Sequence, residues 1–380
     1  MSTRFYQQPA SWTVGLTFLF LNMSFGSWLS RLPEVQRNLA LSESTLGLVL
    51  LAMPVGAMIS TTISRDLLAR FEPGRLAIIC VLVFTGAMLF PALAGSALVL
   101  AILLFCIGLS DGLLNVSMNT AAAAIEAKDK VRIMSSCHGM FSLGGFIGAL
   151  IGGSFAKLGI GLPVQMLIIF LIALTTLLIR LPTLWHIKSD ISREKQAFRW
   201  PGLRLMAFIL IGICIMIGEG AISDWSAIYL SKQMGAGPLI AALGFAGFSA
   251  SMAIGRFSGD RVRSFIRPRS LLRNGSLLST AGLLLAVFGN HPSMAIIGFT
   301  MAGIGFATSV PILFLEAGKT TPDNPAVGIA AVANAGLVGF LAAPPAIGFI
   351  AEHFGLDQAF LIIAILAFMA AVGSHFFFPK

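Results

Sequence analysis

Charge is scarce in this chain. Only 11% of its 380 residues are Asp, Glu, Lys or Arg, less than half the ~25% of a soluble globular domain. A water-facing surface all round is therefore excluded. Tyrosine is nearly absent, with 2 residues against 30 phenylalanines, as suits a surface facing hydrocarbon rather than water. Cys80, Cys106, Cys137 and Cys214 each stand alone inside an apolar stretch, so neither a disulfide framework nor a cysteine metal site is expected. His138 has no Cys or His partner at metal-ligand spacing, and no metal is expected there. The chain also lacks a P-loop, a G-x-S-x-G elbow and any nucleotide domain, so nucleotide-driven pumping and hydrolysis lack support. It reads as a non-enzyme without a cofactor.

What it has instead is length of hydrophobic run. Twelve stretches are each about long enough to span the ~30 Å hydrocarbon core of a bilayer: 12–29, 46–64, 76–94, 97–124, 133–155, 162–181, 205–230, 239–257, 271–289, 294–315, 326–350 and 360–378. They are continuous rather than alternating, so helices are predicted and not a barrel. No small-residue cleavage pattern follows Gly26, and the first stretch is read as a helix, not a signal peptide.

The net charge of +9 would suggest nucleic acid if it were spread over a soluble surface. Here it is sorted by loop. With an internal N-terminus, 21 of the 25 Lys and Arg fall on one side, and only Arg31, Arg37, Lys157 and Lys232 on the other. That asymmetry predicts a multi-pass protein of a bacterial inner membrane with both termini cytoplasmic, and no nucleic-acid partner.

The longest polar interruption, within residues 182–204, separates a six-helix lobe at 1–181 from a second at 205–380. The two halves echo each other. Ser64–Arg75 and Gly255–Arg263 are basic loops containing Asp66 and Arg70 in the first, and Asp260 and Arg261 in the second. Trp28 and Trp225 stand near the outer ends of the first and seventh segments. The fifth and eleventh are glycine-rich. Through this 6+6 layout and the Gly-x-x-x-Asp-Arg-x-x-Arg pattern of the second loop, the chain resembles the major facilitator superfamily along essentially its whole length. The first loop matches less well, since the expected Gly before Arg65 is missing. Two strings, Asp111-Gly112-Leu113-Leu114-Asn115 to Ser142 and Glu219-Gly220-Ala221 to Leu230, resemble a bacterial inner-membrane subgroup sometimes linked to sugars or cyclitols. The resemblance implies an all-α membrane protein of twelve helices in two lobes, working by alternating access. The exporter signature of the fifth helix carries a Gly-Pro pair in that family. The run Gly144–Gly153 has no Pro, which counts against drug/proton antiport.

Ionisable groups within membrane segments are costly and call for a reason. Asp111 and Glu219 each lie about 14 residues, or ~21 Å, into their segments, and Asn22 lies ~15 Å in. That is the depth at which two-lobed transporters bind substrate. Asp111, Asn115 and Asn119 recur at i, i+4, i+8 on one helical face. They form either a polar cavity wall or a hydrogen-bonded seam between helices; Asn119, nearer the inner end, suits the seam. Glu219, between two glycines and without a basic residue in its own segment, suits proton coupling, with Asp111 as a second proton site. Trp28, Trp225 and Tyr229 are either interfacial anchors or a stacking platform for a sugar-like ring. Arg31 and Asp224 are candidates for an outer gate pair between lobes. Glu126 and Glu316 are expected to latch onto the basic loops, and His138 to be a packing residue.

The apolar segments of the first half contain no Lys or Arg between Arg31 and Arg180, so a phosphate or dicarboxylate cargo is disfavoured. The expected function is uptake of a small polar solute (sugar, polyol or amine) coupled to protons, by a protein that works as a monomer. Export of drugs or metabolites by proton antiport, and a non-transporting membrane receptor, are the alternatives.

Overall fold

The computed structural model describes residues 3–185, 187, 202–321 and 324–378, the side chains of Thr3, Arg4, Arg65, Asp260 and Ala326 excepted. The linker expected over 182–204 lies largely outside the described residues. Fifteen α-helices follow in order: α1 (Thr3–Gln7), α2 (Pro9–Leu29), α3 (Leu32–Asn38), α4 (Glu43–Leu68), α5 (Pro73–Ala87), α6 (Ala97–Asp129), α7 (Met134–Lys157), α8 (Leu162–Leu184), α9 (Leu203–Gln233), α10 (Pro238–Phe265), α11 (Pro268–Phe288), α12 (Pro292–Phe306), α13 (Ser309–Thr320), α14 (Pro325–Phe354) and α15 (Leu356–Phe377). Proline opens many of them, at the position where its missing N–H has no helical partner to lose. Between α14 and α15 a single residue turns the chain: Gly355, at φ 95°, a backbone state that a side chain would strain.

Among the described residues eleven spans are long and apolar enough to cross a membrane. The twelfth is α2, whose 21 residues give the length, while Thr13, Thr17, Asn22, Ser24 and Ser27 lower its hydropathy. The tenth span comprises α12 and α13. The break at Ala307–Thr308 follows from Pro311, which cannot donate to the Ala307 carbonyl four residues back. Large side chains on the outside of the bundle are apolar, such as Ile79, Leu98, Ile179 and Phe368, and face lipid.

The halves pack alike. Helix α2 lies on α7 as α9 lies on α14, and α4 on α6 as α10 on α12. Close approach within a half rests on small residues, as membrane packing favours. Gly56 of α4 faces the Phe105 carbonyl of α6, and Gly108 of α6 faces the Met53 carbonyl of α4. The halves meet chiefly through two pairs, α7 with α10 and α4 with α14. At one end of the bundle lie Arg70, Lys128 and Arg261, all exposed. At the opposite end the halves are drawn together. Gly47 of α4 abuts the Pro344 carbonyl of α14, and Gly348 of α14 abuts the Glu43 carbonyl. Lys232 Nζ reaches Glu43 Oε1 at 2.6 Å, and the Ser44 N–H donates to Glu352 Oε2 at 2.8 Å.

Both basic loops are shorter than expected: within 64–75, α4 continues to Leu68 and α5 begins at Pro73. Residues 255–263 were predicted to form a loop, but α10 continues to Phe265. Its serine, arginine and glycine residues are compatible with helix once the chain leaves the hydrocarbon, so the apolar run ends before the helix does. Arg256 is consequently a helical residue.

Candidate functional site

A cavity of about 400 Å³ lies between the two halves, within the 300–1,000 Å³ range of small-molecule sites. Helix α2 contributes Asn22 and Trp28, α6 contributes Asp111 and Asn115, α9 contributes Glu219, Ser223 and Asp224, and α10 contributes Arg256. Phenylalanines 25, 141, 245, 248 and 340 supply much of the remaining wall.

The polar groups are mostly engaged with the protein. Asn22 donates to the Phe141 carbonyl at 3.0 Å, tying α2 to α7. Asn115 Nδ2 donates to Asp111 Oδ1 at 3.0 Å and to its carbonyl at 3.2 Å. Asn119 continues the ladder by donating to the Asn115 carbonyl at 2.8 Å. The i, i+4 stripe is thus real as a hydrogen-bonded series along α6, and its Asp111 and Asn115 members line the cavity.

Glu219 was expected to stand without a cation, and the fold supplies one. Arg256 Nη2 of α10 lies 3.6 Å from Glu219 Oε2, longer than a hydrogen bond, while its Nη1 donates to Ser142 Oγ of α7 at 2.7 Å. Arg256 therefore links α9 and α10 of one half to α7 of the other. The second carboxyl oxygen, Glu219 Oε1, is buried and has no hydrogen-bond partner among the described residues. The first half contributes no Lys or Arg to the cavity, as its apolar segments imply, and the second contributes Arg256. Sequence alone could have flagged Arg256, since it is the one Arg or Lys inside the apolar eighth stretch, 239–257.

Other expectations are redirected. Trp28 reaches the cavity, but Trp225 and Tyr229 are fully buried elsewhere. Tyr229 packs edge-on against Phe360, with ring centroids 5.0 Å apart, and donates its hydroxyl to Asp357 Oδ1 at 2.7 Å. A helix turns about 100° per residue. Residues 219, 220, 223 and 224 thus share an arc of roughly 140°, and residues 225 and 229 point about 170° and about 150° from the middle of that arc. Arg31 is no gate partner of Asp224. It is buried and bonded to Glu34 Oε2 at 2.6 Å, to the Ile160 carbonyl at 3.0 Å and to Gln165 Oε1 at 2.8 Å, all within its own half. Asp224 faces the cavity without a hydrogen-bond or ion-pair partner among the described residues.

Nearer the basic end, Asp66 lines a second recess with Thr61, Thr62, Ser64 and Thr120; Thr61 belongs to both cavities. Arg70 and Arg261 are exposed, and the Asp260 side chain lies outside the described residues. Glu126 does not latch onto a basic loop. Its Oε1 accepts the backbone N–H groups of Ile133 and Met134, at 2.5 and 2.8 Å, and so caps α7. Glu316 pairs with Lys319 of its own helix at 2.6 Å. His138 packs against Phe18, with ring centroids 5.4 Å apart.

A sequence model of the Major Facilitator Superfamily matches residues 13–336. The chain is 30% identical to an uncharacterized MFS-type transporter of Yersinia pestis over 389 aligned residues, covering 99% of each. It is 31% identical to the membrane protein MosC of Rhizobium meliloti, over 96% of this chain and 89% of that one. Its fold is similar to that of a bacterial homologue of the human lysosomal transporter Spinster in an inward-facing and occupied conformation. The TM-score is 0.74 at 15% identity, with 96% of this chain and 95% of the other covered.

Proposed function

The chain belongs to the major facilitator superfamily, and from that premise we propose that it is a secondary transporter importing a small polar solute together with protons. It would act as a monomer in a bacterial inner membrane, with both termini cytoplasmic and lobes at 1–181 and 205–380. The observation that carries the proposal is the shared cavity. Asn22, Asp111 and Asn115 enter it from one half and Glu219, Ser223 and Asp224 from the other, so a bound solute touches both bodies whose relative motion alternates access.

Glu219 is the proposed proton site. One of its oxygens has no partner and the other faces Arg256. Taking up a proton removes half of that ion pair and leaves Arg256 bonded to Ser142 across the halves. Proton movement is thereby tied to a group that touches both bodies. Asp111 is the second candidate. A charge balance of three carboxyls against one guanidinium favours neutral or cationic cargo over anions.

The test is accumulation by purified protein in proteoliposomes, with labelled sugars, polyols and amines offered under an imposed pH gradient. A substrate accumulated by the parent protein is expected to bind Asp111→Asn and Asn115→Ala roughly 10-fold or more weakly, the scale of a lost charge-assisted hydrogen bond. Poor folding of these variants, with unchanged affinity in the folded fraction, would assign the stripe to helix packing.

A further inference from the structure

We infer that the solute bound in this cavity is an organic cation. Its protonated amine lies between Asp111 of one lobe and Asp224 of the other, and its carbon body lies against the phenylalanine wall. The inference rests on the transporter reading and narrows its cargo.

Several donors that line the cavity are committed to protein, while the Trp28 Nε1–H and the Ser249 hydroxyl have no hydrogen-bond partner among the described residues. One N–H of Arg256 is given to Ser142, and its Nη2 faces Glu219 at 3.6 Å. Asn115 Nδ2 is given twice to Asp111. The Ser223 hydroxyl is given to the Glu219 carbonyl at 2.8 Å, and that of Thr61 to the Met58 carbonyl at 2.7 Å. The acceptors are not equally matched. Asp224 has no partner among the described residues, and the buried Glu219, 8% exposed, keeps one oxygen unbonded. These carboxyl oxygens call for a ligand group that donates, and an ammonium has only donors to offer.

Charge leads to the same ligand. Arg256 balances one carboxylate, leaving Asp111 and Asp224 without a cation. Enclosing unpaired carboxylates is expensive, and a neutral polyol leaves that cost in place. A monocation between them reduces it. Because one carboxylate stands on each lobe, the same cation draws the lobes toward each other. The rest of the wall is Phe25, Phe141, Phe245, Phe248 and Phe340. Such rings accept apolar carbon and stabilise a nearby cation through their faces.

The experiment uses matched pairs that differ only in amine against hydroxyl: glucosamine with glucose, phenethylamine with 2-phenylethanol, and cyclohexylamine with cyclohexanol. Binding to the purified full-length protein is measured by calorimetry. In at least one pair the amine is expected to bind 10-fold or more tightly than its alcohol. Asp224→Asn is expected to abolish that preference while Asp224→Glu retains it, with unliganded melting temperatures confirming that both variants fold. Absence of amine binding throughout, alcohols binding as tightly as amines, or a preference that survives Asp224→Asn would each overturn the inference. Binding of alcohols alone would still leave the transporter reading intact, since accumulation in proteoliposomes tests that reading independently of ligand charge.

Discussion

Replacing Gly47 by valine is expected to open the bundle at the end opposite its basic loops. A Cβ at Gly47 would overlap the Pro344 carbonyl oxygen and lie 3.1 Å from both the Pro344 carbonyl carbon and Pro345 Cα. Ordinary carbon contacts lie at ~3.5–4.0 Å. All three obstacles are backbone, so no rotamer change relieves them and α4 must withdraw from α14. Overpacking of this kind costs about 1–3 kcal/mol, and the cost falls only on the state in which these helices touch. That corresponds to roughly a 5–150-fold shift toward the separated state. Separation also pulls apart Lys232 and Glu43, an exposed pair worth only ~0.2–1 kcal/mol, so the glycine dominates. The assay is labelling of Ser223→Cys, in a background lacking Cys80, Cys106, Cys137 and Cys214, by an impermeant maleimide added to the face away from the basic loops. The rate is expected to rise with Gly47→Val. Gly56→Val is the control: it produces a similar overlap with the Phe105 carbonyl, but inside one half. If Gly47→Val leaves the rate unchanged, or Gly56→Val raises it as much, closure does not depend on the α4–α14 contact.

Orientation and coupling give two further outcomes. An Arg261→Cys protein is expected to react with impermeant thiol reagents only from the cytoplasm and Asn38→Cys only from outside; both positions are exposed, and the reverse pattern would invert the topology. Glu219→Gln is expected to lose accumulation driven by a pH gradient and keep substrate exchange, because the cycle can no longer move a proton on that carboxyl; full pH-driven accumulation by this variant would remove Glu219 from coupling.

The spans and their pairing into halves were legible because hydrocarbon thickness imposes a length on every crossing helix, and that length is written as an apolar run. Depth was legible for the same reason: Asn22, Asp111 and Glu219 were selected by distance from a segment end, and all three line the cavity. Direction around the helix was used for Asp111 and Asn115 and neglected for Trp225 and Tyr229, which the same 100° step turns away from the arc shared by residues 219, 220, 223 and 224. Partners from other helices were not legible. That Arg256 meets Glu219, 37 positions earlier in the chain, depends on how α10 packs on α9, and hydropathy has no term for that. Arg31 shows the converse. Its position suggested a gate, but the Gln165 and Ile160 acceptors that hold it come from the far end of its own half.

The Glu126 cap has a mechanical consequence. By holding the first backbone N–H groups of α7 from the last turns of α6, one carboxylate splices two spans that chain connectivity alone would leave hinged. Helix α6 holds Asp111 in the cavity, and α7 rides on α10 of the other half. With the joint stiffened, a tilt of α7 against α10 is delivered to Asp111 as displacement and is not absorbed in the 130–133 turn. Stiffened in this way, the two helices would act as one lever arm, with its fulcrum at the lobe contact and the ligand-facing carboxylate on its long limb.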